Sequence, residues 1–238
     1  MIAIFKREFK SYFINMSGYV FIGVLWLFSG IFTTALNLIG QYAAYEYALS
    51  NLVTVLMLIV PILTMRSMSE DRRAKTDMLL YSLPVSSAEV VLGKYFAGVA
   101  LVVLALIPTL IYFFSVYHLS QPVGNVDIGG IWGSYIGLFF LSATFVSIGL
   151  FCSSITNNQI LAFLLSVFLC GFLYIGFDMI YSMALFGKVD LFIQHLGMSS
   201  HYSSLSRGVI DTRDILYFIS VIVLFLSSTK LVLSSRKW

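Results

Sequence analysis

The sequence predicts an all-α membrane protein: six transmembrane helices, an amphipathic interfacial helix at the N-terminus, and a structured cytoplasmic loop between helices two and three. Three observations carry that reading. Hydrophobic residues fill 59% of the 238 positions and charged residues 11%, against about 45–50% and about 25% in soluble domains. Mean hydropathy is +0.94. Eleven of the fourteen Lys and Arg residues lie at the chain ends or between residues 66 and 94, and the apolar stretches between those groups are almost free of charge. A soluble fold of this length could not bury so much apolar surface.

Residues 1–17 form the first element. With about 100° between successive helical residues, Ile2, Phe5, Phe9, Tyr12 and Phe13 share one face, while Lys6, Arg7, Glu8, Lys10 and Ser11 occupy the rest. A helix so patterned lies in the membrane interface instead of crossing it. The ordered aromatic face exceeds what a simple basic topology anchor requires.

Six stretches reach the roughly 20 residues needed to cross a hydrocarbon core about 30 Å thick: 19–39, 48–65, 95–117, 131–151, 158–180 and 214–233. The first is expected to remain as helix one, because its apolar run is too long for a signal peptide and Thr33, Thr34 and Asn37 make no small-residue cleavage site. An even number of spans puts both termini on one side. The segments on that side carry eleven Lys and Arg, and the opposite loops only Lys188, Arg207 and Arg213, so both termini are expected in the cytoplasm.

The inner loop, 66–94, is densely punctuated. Ser67-Met68-Ser69-Glu70 matches a capping box and predicts a helix from there to Ser82, with Glu70 and Asp71 in its first turn and Pro84 ending it. Ser86-Ser87-Ala88-Glu89 matches a second capping box that opens helix three. Arg72, Arg73, Lys75 and Asp77 stand beside Met78, Leu79, Leu80 and Tyr81, a mixed surface suited to a soluble partner.

These same residues carry a family resemblance. The acidic Glu70-Asp71, the basic pair Arg72-Arg73, the small Ala74, the Asp77 to Leu79-Leu80 step, Pro84-Val85 and Gly93-Lys94 resemble the first cytoplasmic loop of ABC-2 type transporter permeases. A second segment, His201 to Asp211 followed by Arg213-Asp214, is similar to the subgroup containing the gliding-motility and copper-maturation permeases, with Ser203 departing from the acidic residue many relatives carry there. The resemblance implies a type V exporter-like fold in the bacterial inner membrane and a permease subunit of an exporter or mechanotransmitter. It also implies an inner loop, here Glu70, Asp71, Arg72, Arg73, Lys75, Leu79, Leu80 and Pro84, that docks on a separate ATPase present in two copies. A second permease copy or paralogue would complete the pathway, with membrane lipids around it. ATP and Mg would be bound by the partner. This chain has no Gly-x-x-x-x-Gly-Lys-[Ser/Thr] sequence, since Gly93-Lys94 is followed by Tyr95, and no cofactor of its own is expected.

The remaining features are weaker. Asp178, near the outer end of helix five beside Tyr174 and Tyr181, is the clear candidate for a functional ionisable group within the spans; it either lines an outer cavity, or contacts cargo, or sits at headgroup level. Gly129, Gly133 and Gly137 recur every fourth residue, which permits close helix approach within one subunit or between two. Pro61 and Pro108 can kink helices two and three. The outer segment 181–213, with Phe192, His201 and Arg207, is long and apolar enough to form short helices over a pathway, as an outer gate does in the resembled family. His195 and His201 are six apart, without a third ligand, so no metal site is expected. Cys152 and Cys170 read as small apolar side chains, and a net charge of +3 at the lipid surface gives no case for nucleic acid. The competing class, a polytopic intramembrane enzyme acting on lipid or peptide, needs converging catalytic groups within the bilayer, and Asp178 stands alone there.

Overall fold

Each apolar stretch becomes a helix long and apolar enough to cross a membrane, and the helices overrun their predicted ends. The computed structural model describes residues 1–42, 44–73, 86–183 and 190–235. In chain order, α1 (Ile2–Ile14) precedes α2 (Ser17–Phe32), which widens into a π-helical end at Thr33–Ile39. Next come α3 (Tyr45–Arg73), α4 (Ser87–Leu106), a 3₁₀ turn at Ile107–Thr109 and α5 (Leu110–Leu119). Then follow α6 (Ile128–Ile155), α7 (Gln159–Gly171), a π-helical stretch at Phe172–Gly176 and α8 (Phe177–Ser182). The short α9 (Asp190–His195) and α10 (Met198–Ser206) lead to α11 (Thr212–Ser234). No strand occurs among the described residues.

The bundle is organised around α6, the most buried span, which packs against α3, α7, α10, α11 and α4. Close approach to α3 depends on Gly149: a Cβ there would lie 1.9 Å from the Thr64 hydroxyl. The polar residues of α6 do not break the apolar packing, because Ser142, Thr144, Ser147 and Ser154 donate back to carbonyls three or four residues earlier. Pro108 lies in the 3₁₀ turn that interrupts the third span, and Trp26 of α2 donates to the Ala105 carbonyl at that bend at 2.9 Å. Pro61, by contrast, is carried inside a continuous α3.

Two local expectations are corrected. The second span does not end at 65, and the Ser67 capping box starts no helix: α3 runs unbroken to Arg73. Ser67 is buried in mid-helix, and Ser69 donates back to the Met65 carbonyl. The Ser86–Glu89 capping box is present as expected, with both reciprocal bonds formed. α3 thus ends at Arg73 and α4 begins at Ser87; Lys75, Leu79, Leu80 and Pro84 lie outside the described residues.

The second correction concerns α1. Ile2 is exposed, and the buried residues are Ile4 and Tyr12, so α1 turns its Ile4–Glu8–Tyr12 side toward α4. Phe5, Phe9 and Phe13 form a half-buried row beside that contact, with ring centroids 5.8 and 5.3 Å apart. Glu8, placed on the polar side by periodicity, faces the protein because a buried cation is waiting for it.

Candidate functional site

That cation is Lys94, in the second turn of α4, whose side chain is 1% exposed. Its Nζ donates to Glu8 Oε1 of α1 at 2.9 Å, to Asp71 Oδ2 of α3 at 2.6 Å, and to the main-chain carbonyl of Ser67. Arg7 Nη2 bonds the same Glu8 oxygen at 2.9 Å and lies 3.8 Å from Asp71 Oδ2. Among the described residues, two cations, Lys94 and Arg7, thus face the carboxylates of Glu8 and Asp71. Burial alone would lower the Arg7 pKa, but the hydrogen bond to Glu8 and the charges of Glu8 and Asp71 outweigh it and raise it. Burial, with the Glu8 charge, pushes the Tyr12 phenol up.

Gly93 explains why α1 can reach this point. A Cβ there would stand 3.0 Å from Ile4 Cγ2 and 3.3 Å from the Met1 carbonyl. The Gly-Lys pair therefore has two separate tasks, one seating α1 and the other tying it to α3. A polar cleft of about 320 Å³ opens between α1 and α3 alongside, lined among others by Arg7, Glu8, Arg66, Glu70 and Asp71. Beside it, Ser153 of α6 accepts from the Met68 and Ser69 amides at 3.0 and 3.1 Å and donates to the Met65 carbonyl at 3.0 Å. The last two turns of α3 are thereby held by α4, α1 and α6 together.

Of the residues expected to meet a partner, Glu70 and Arg73 are exposed and Asp71 and Arg72 half-buried at the end of α3, while Lys6, Arg7 and Lys10 lie exposed on α1. Asp71 belongs to the Lys94 cluster and not to a free docking surface.

The opposite end of the bundle is closed by α9 and α10. Met198, Tyr202 and Leu205 of α10 are buried, and the glycine series of α6 receives them: a Cβ on Gly133 would lie 2.0 Å from the Leu205 carbonyl, and one on Gly137 would lie 2.9 Å from the Tyr202 ring. Contact within one subunit accounts for Gly133 and Gly137. His201 ties α10 to α11, its Nδ1 2.7 Å from Asp214 Oδ1 and its Nε2 2.8 Å from the His195 carbonyl. Its ring stacks on Tyr217 at 4.0 Å. Tyr217 adds a bond from its hydroxyl to the Leu196 carbonyl at 2.6 Å.

Tyr174 and His201, two of the expected gate residues, turn to different partners. Tyr174 faces Asp178 and Ser199, whereas His201 is turned to Asp214 and Tyr217 of α11. Exposed Arg207 bonds the Ser203 carbonyl of its own helix, and Phe192 lies within α9. Sequence places Asp214 in the second family-like segment but gives no sign of its bond to His201. Nor was the pairing of Lys94 with Glu8 singled out, although a lone lysine opening a long apolar helix and a lone acid among the bases of α1 were its visible halves.

Six spans, an amphipathic first helix and an inner Gly-Lys joint narrow the choice, and the family comparison decides it. The family model described as ABC-2 family transporter protein matches residues 27–235. The chain belongs to the ABC-2 transporter family. No curated protein is significantly similar to it. The match begins inside α2, so α1 stands outside it and its importance rests on the Lys94 contacts. As an ABC-2 permease the chain is a multi-pass membrane subunit, of a family that works with an ABC ATPase subunit.

Proposed function

We propose that this permease is the membrane half of an exporter or mechanotransmitter, and that the Lys94 cluster carries the stroke of a separate ATPase into the bundle. The observation that carries the proposal is the position of Lys94: it joins the two helices that bracket residues 74–86 to one another and to α1. A push on that connector from a docked ATPase then moves α1, α3 and α4 as one body, since displacing any of them alone strips a buried ammonium of a partner. Through Ser153 and Gly149 the same push reaches α6, and along α6 it reaches the α10 helix seated on Gly133 and Gly137 at the far end. In this reading α9 and α10 are the outer gate, and Asp178 with Tyr174 flanks it.

The proposed assembly has two ATPase copies, which bind the ATP and Mg, and a second permease copy or paralogue, in the bacterial inner membrane with both termini cytoplasmic. The gliding-motility and copper-maturation subgroup is the proposed branch. Basic residues concentrated at the Lys94 end support the orientation.

The experiment is co-purification of the permease with its ATPase and measurement of the hydrolysis that assembly stimulates. Arg72→Glu with Arg73→Glu is expected to weaken ATPase capture while the bundle still folds, because Arg73 is exposed and Arg72 half-buried at the helix end. Undiminished capture would contradict docking at this loop.

A further inference from the structure

The geometry points to a specific site for one anionic phospholipid in the groove between the start of α4 and the last turns of α11. The groove holds about 220 Å³ and is lined by Ala88, Val91 and Leu92 on α4 and by Val223, Leu226, Ser227 and Lys230 on α11. Its lining is apolar except at one end. Ala88 and Ser227, the two small residues, keep the helices from filling it, and Ser227 turns its hydroxyl back to the Leu224 carbonyl at 2.9 Å. Val223 to Lys230 spans two turns of α11, about 10 Å along the axis at 1.5 Å per residue. The groove therefore runs along the helices, with aliphatic side chains deep and the exposed Lys230 at the end where the other basic residues gather.

Lys230 forms no ion pair among the described residues, unlike Lys94 and Arg7. Beside it, the first turn of α4 presents backbone N–H groups that have no intrahelical acceptor. The nearest acid in sequence, Glu89, is engaged by the Met1 ammonium at 3.7 Å and by its capping box. An acyl chain fits the apolar length, and a phosphate fits the lysine and the helix start. A zwitterionic lipid brings the same phosphate together with a tethered ammonium that offsets its charge and is repelled by Lys230. The occupant is accordingly a glycerophospholipid of net negative charge, drawn from the leaflet whose surface attracts basic residues. A lipid there would sit between α4 and α11 within two turns of Lys94, next to the cluster of Met68, Val90, Val91 and Leu233.

The test uses the purified full chain, stripped of lipid and titrated in detergent with phosphatidylglycerol or phosphatidylcholine of identical acyl chains, bound copies being counted by native mass spectrometry. Wild type is expected to retain one phosphatidylglycerol with about fivefold preference, the factor one basic residue contributes at an anionic surface. Lys230→Gln should abolish the preference, and Ala88→Leu or Ser227→Leu should lower retention of both lipids. Glycerol 3-phosphate, which is the headgroup without chains, should not displace the bound lipid; displacement would make this a free-phosphate site and overturn the proposal. Equal retention of the two lipids by wild type, or a preference surviving Lys230→Gln, would also overturn it. So would an efficient Val223→Cys disulfide between two copies in the membrane, which would place a second permease in the groove.

Discussion

Lys94 Nζ and Asp71 Oδ2 lie 2.6 Å apart, although the two residues stand on opposite sides of the connector at 74–86. The bond holds α3 against α4 where an external push would otherwise separate them, and Glu8 extends the same lysine to α1. Removing one partner of such a buried pair leaves an uncompensated charge, which costs about 3–5 kcal/mol. Lys94→Met is therefore expected to lower the stability of the detergent-solubilised permease by about that amount in denaturant unfolding. The triple variant Lys94→Met, Glu8→Gln, Asp71→Asn should recover most of the loss, since the one charge it leaves without its carboxylates, Arg7, is half exposed to solvent. A triple variant no more stable than the single one would show that the cluster is not behaving as a buried ion network.

How much of this was legible depended on range. Periodicity and charge are local, so the six spans, the presence of a separate N-terminal helix and the Ser86–Glu89 cap could be read directly. The Ser67–Glu70 signature misled because a capping box marks a helix start only where the preceding turn is broken; here Met65 and Arg66 continue the helix and Ser153 satisfies the local amides from another span. The pairing of Glu8 with Lys94 is a contact between residues 86 apart, and no local pattern encodes it. The helical wheel put Glu8 with the solvent because it cannot represent a buried cation.

The α6–α10 contact tolerates no side chain at Gly133. Gly133→Ala places a Cβ 2.0 Å from a backbone oxygen, so backbone must shift, and overpacking of this kind costs about 1–3 kcal/mol or more. Gly23→Ala, with nothing within 4 Å of the added Cβ, is the control. Thermal unfolding should separate the two, and equal stability would remove the case for α10 as a rigidly seated element.

The bond between His201 and Asp214 should govern how firmly α10 is held to α11. His201→Ala or Asp214→Asn is expected to raise amide hydrogen exchange in α10 by about one to two orders of magnitude, the effect of losing a charge-assisted bond worth about 1.5–3 kcal/mol. Exchange elsewhere in the bundle should be unchanged. Unaltered exchange in α10 would mean that Met198, Tyr202 and Leu205 hold it without the imidazole.

Orientation is open to a direct labelling test. Single cysteines at the exposed Val123 and Val209 should react with an impermeant maleimide in intact cells, and one at Ala74 should react only after permeabilisation. Ser200 is a poorer reporter, because its hydroxyl bonds the Gln194 and Gly197 carbonyls. Labelling of Ala74 in intact cells would invert the proposed topology.

The central claim is that Lys94 transmits the ATPase stroke to the far end of the bundle. It is tested most directly by spin labels at Val123 and Met183, both exposed at the end away from Lys94, in the permease assembled with its ATPase. Addition of ATP and Mg is expected to shift the distance distribution between the labels, and Lys94→Met is expected to abolish that shift while the ATPase remains bound. The same nucleotide-dependent shift in the Lys94→Met assembly would contradict the account.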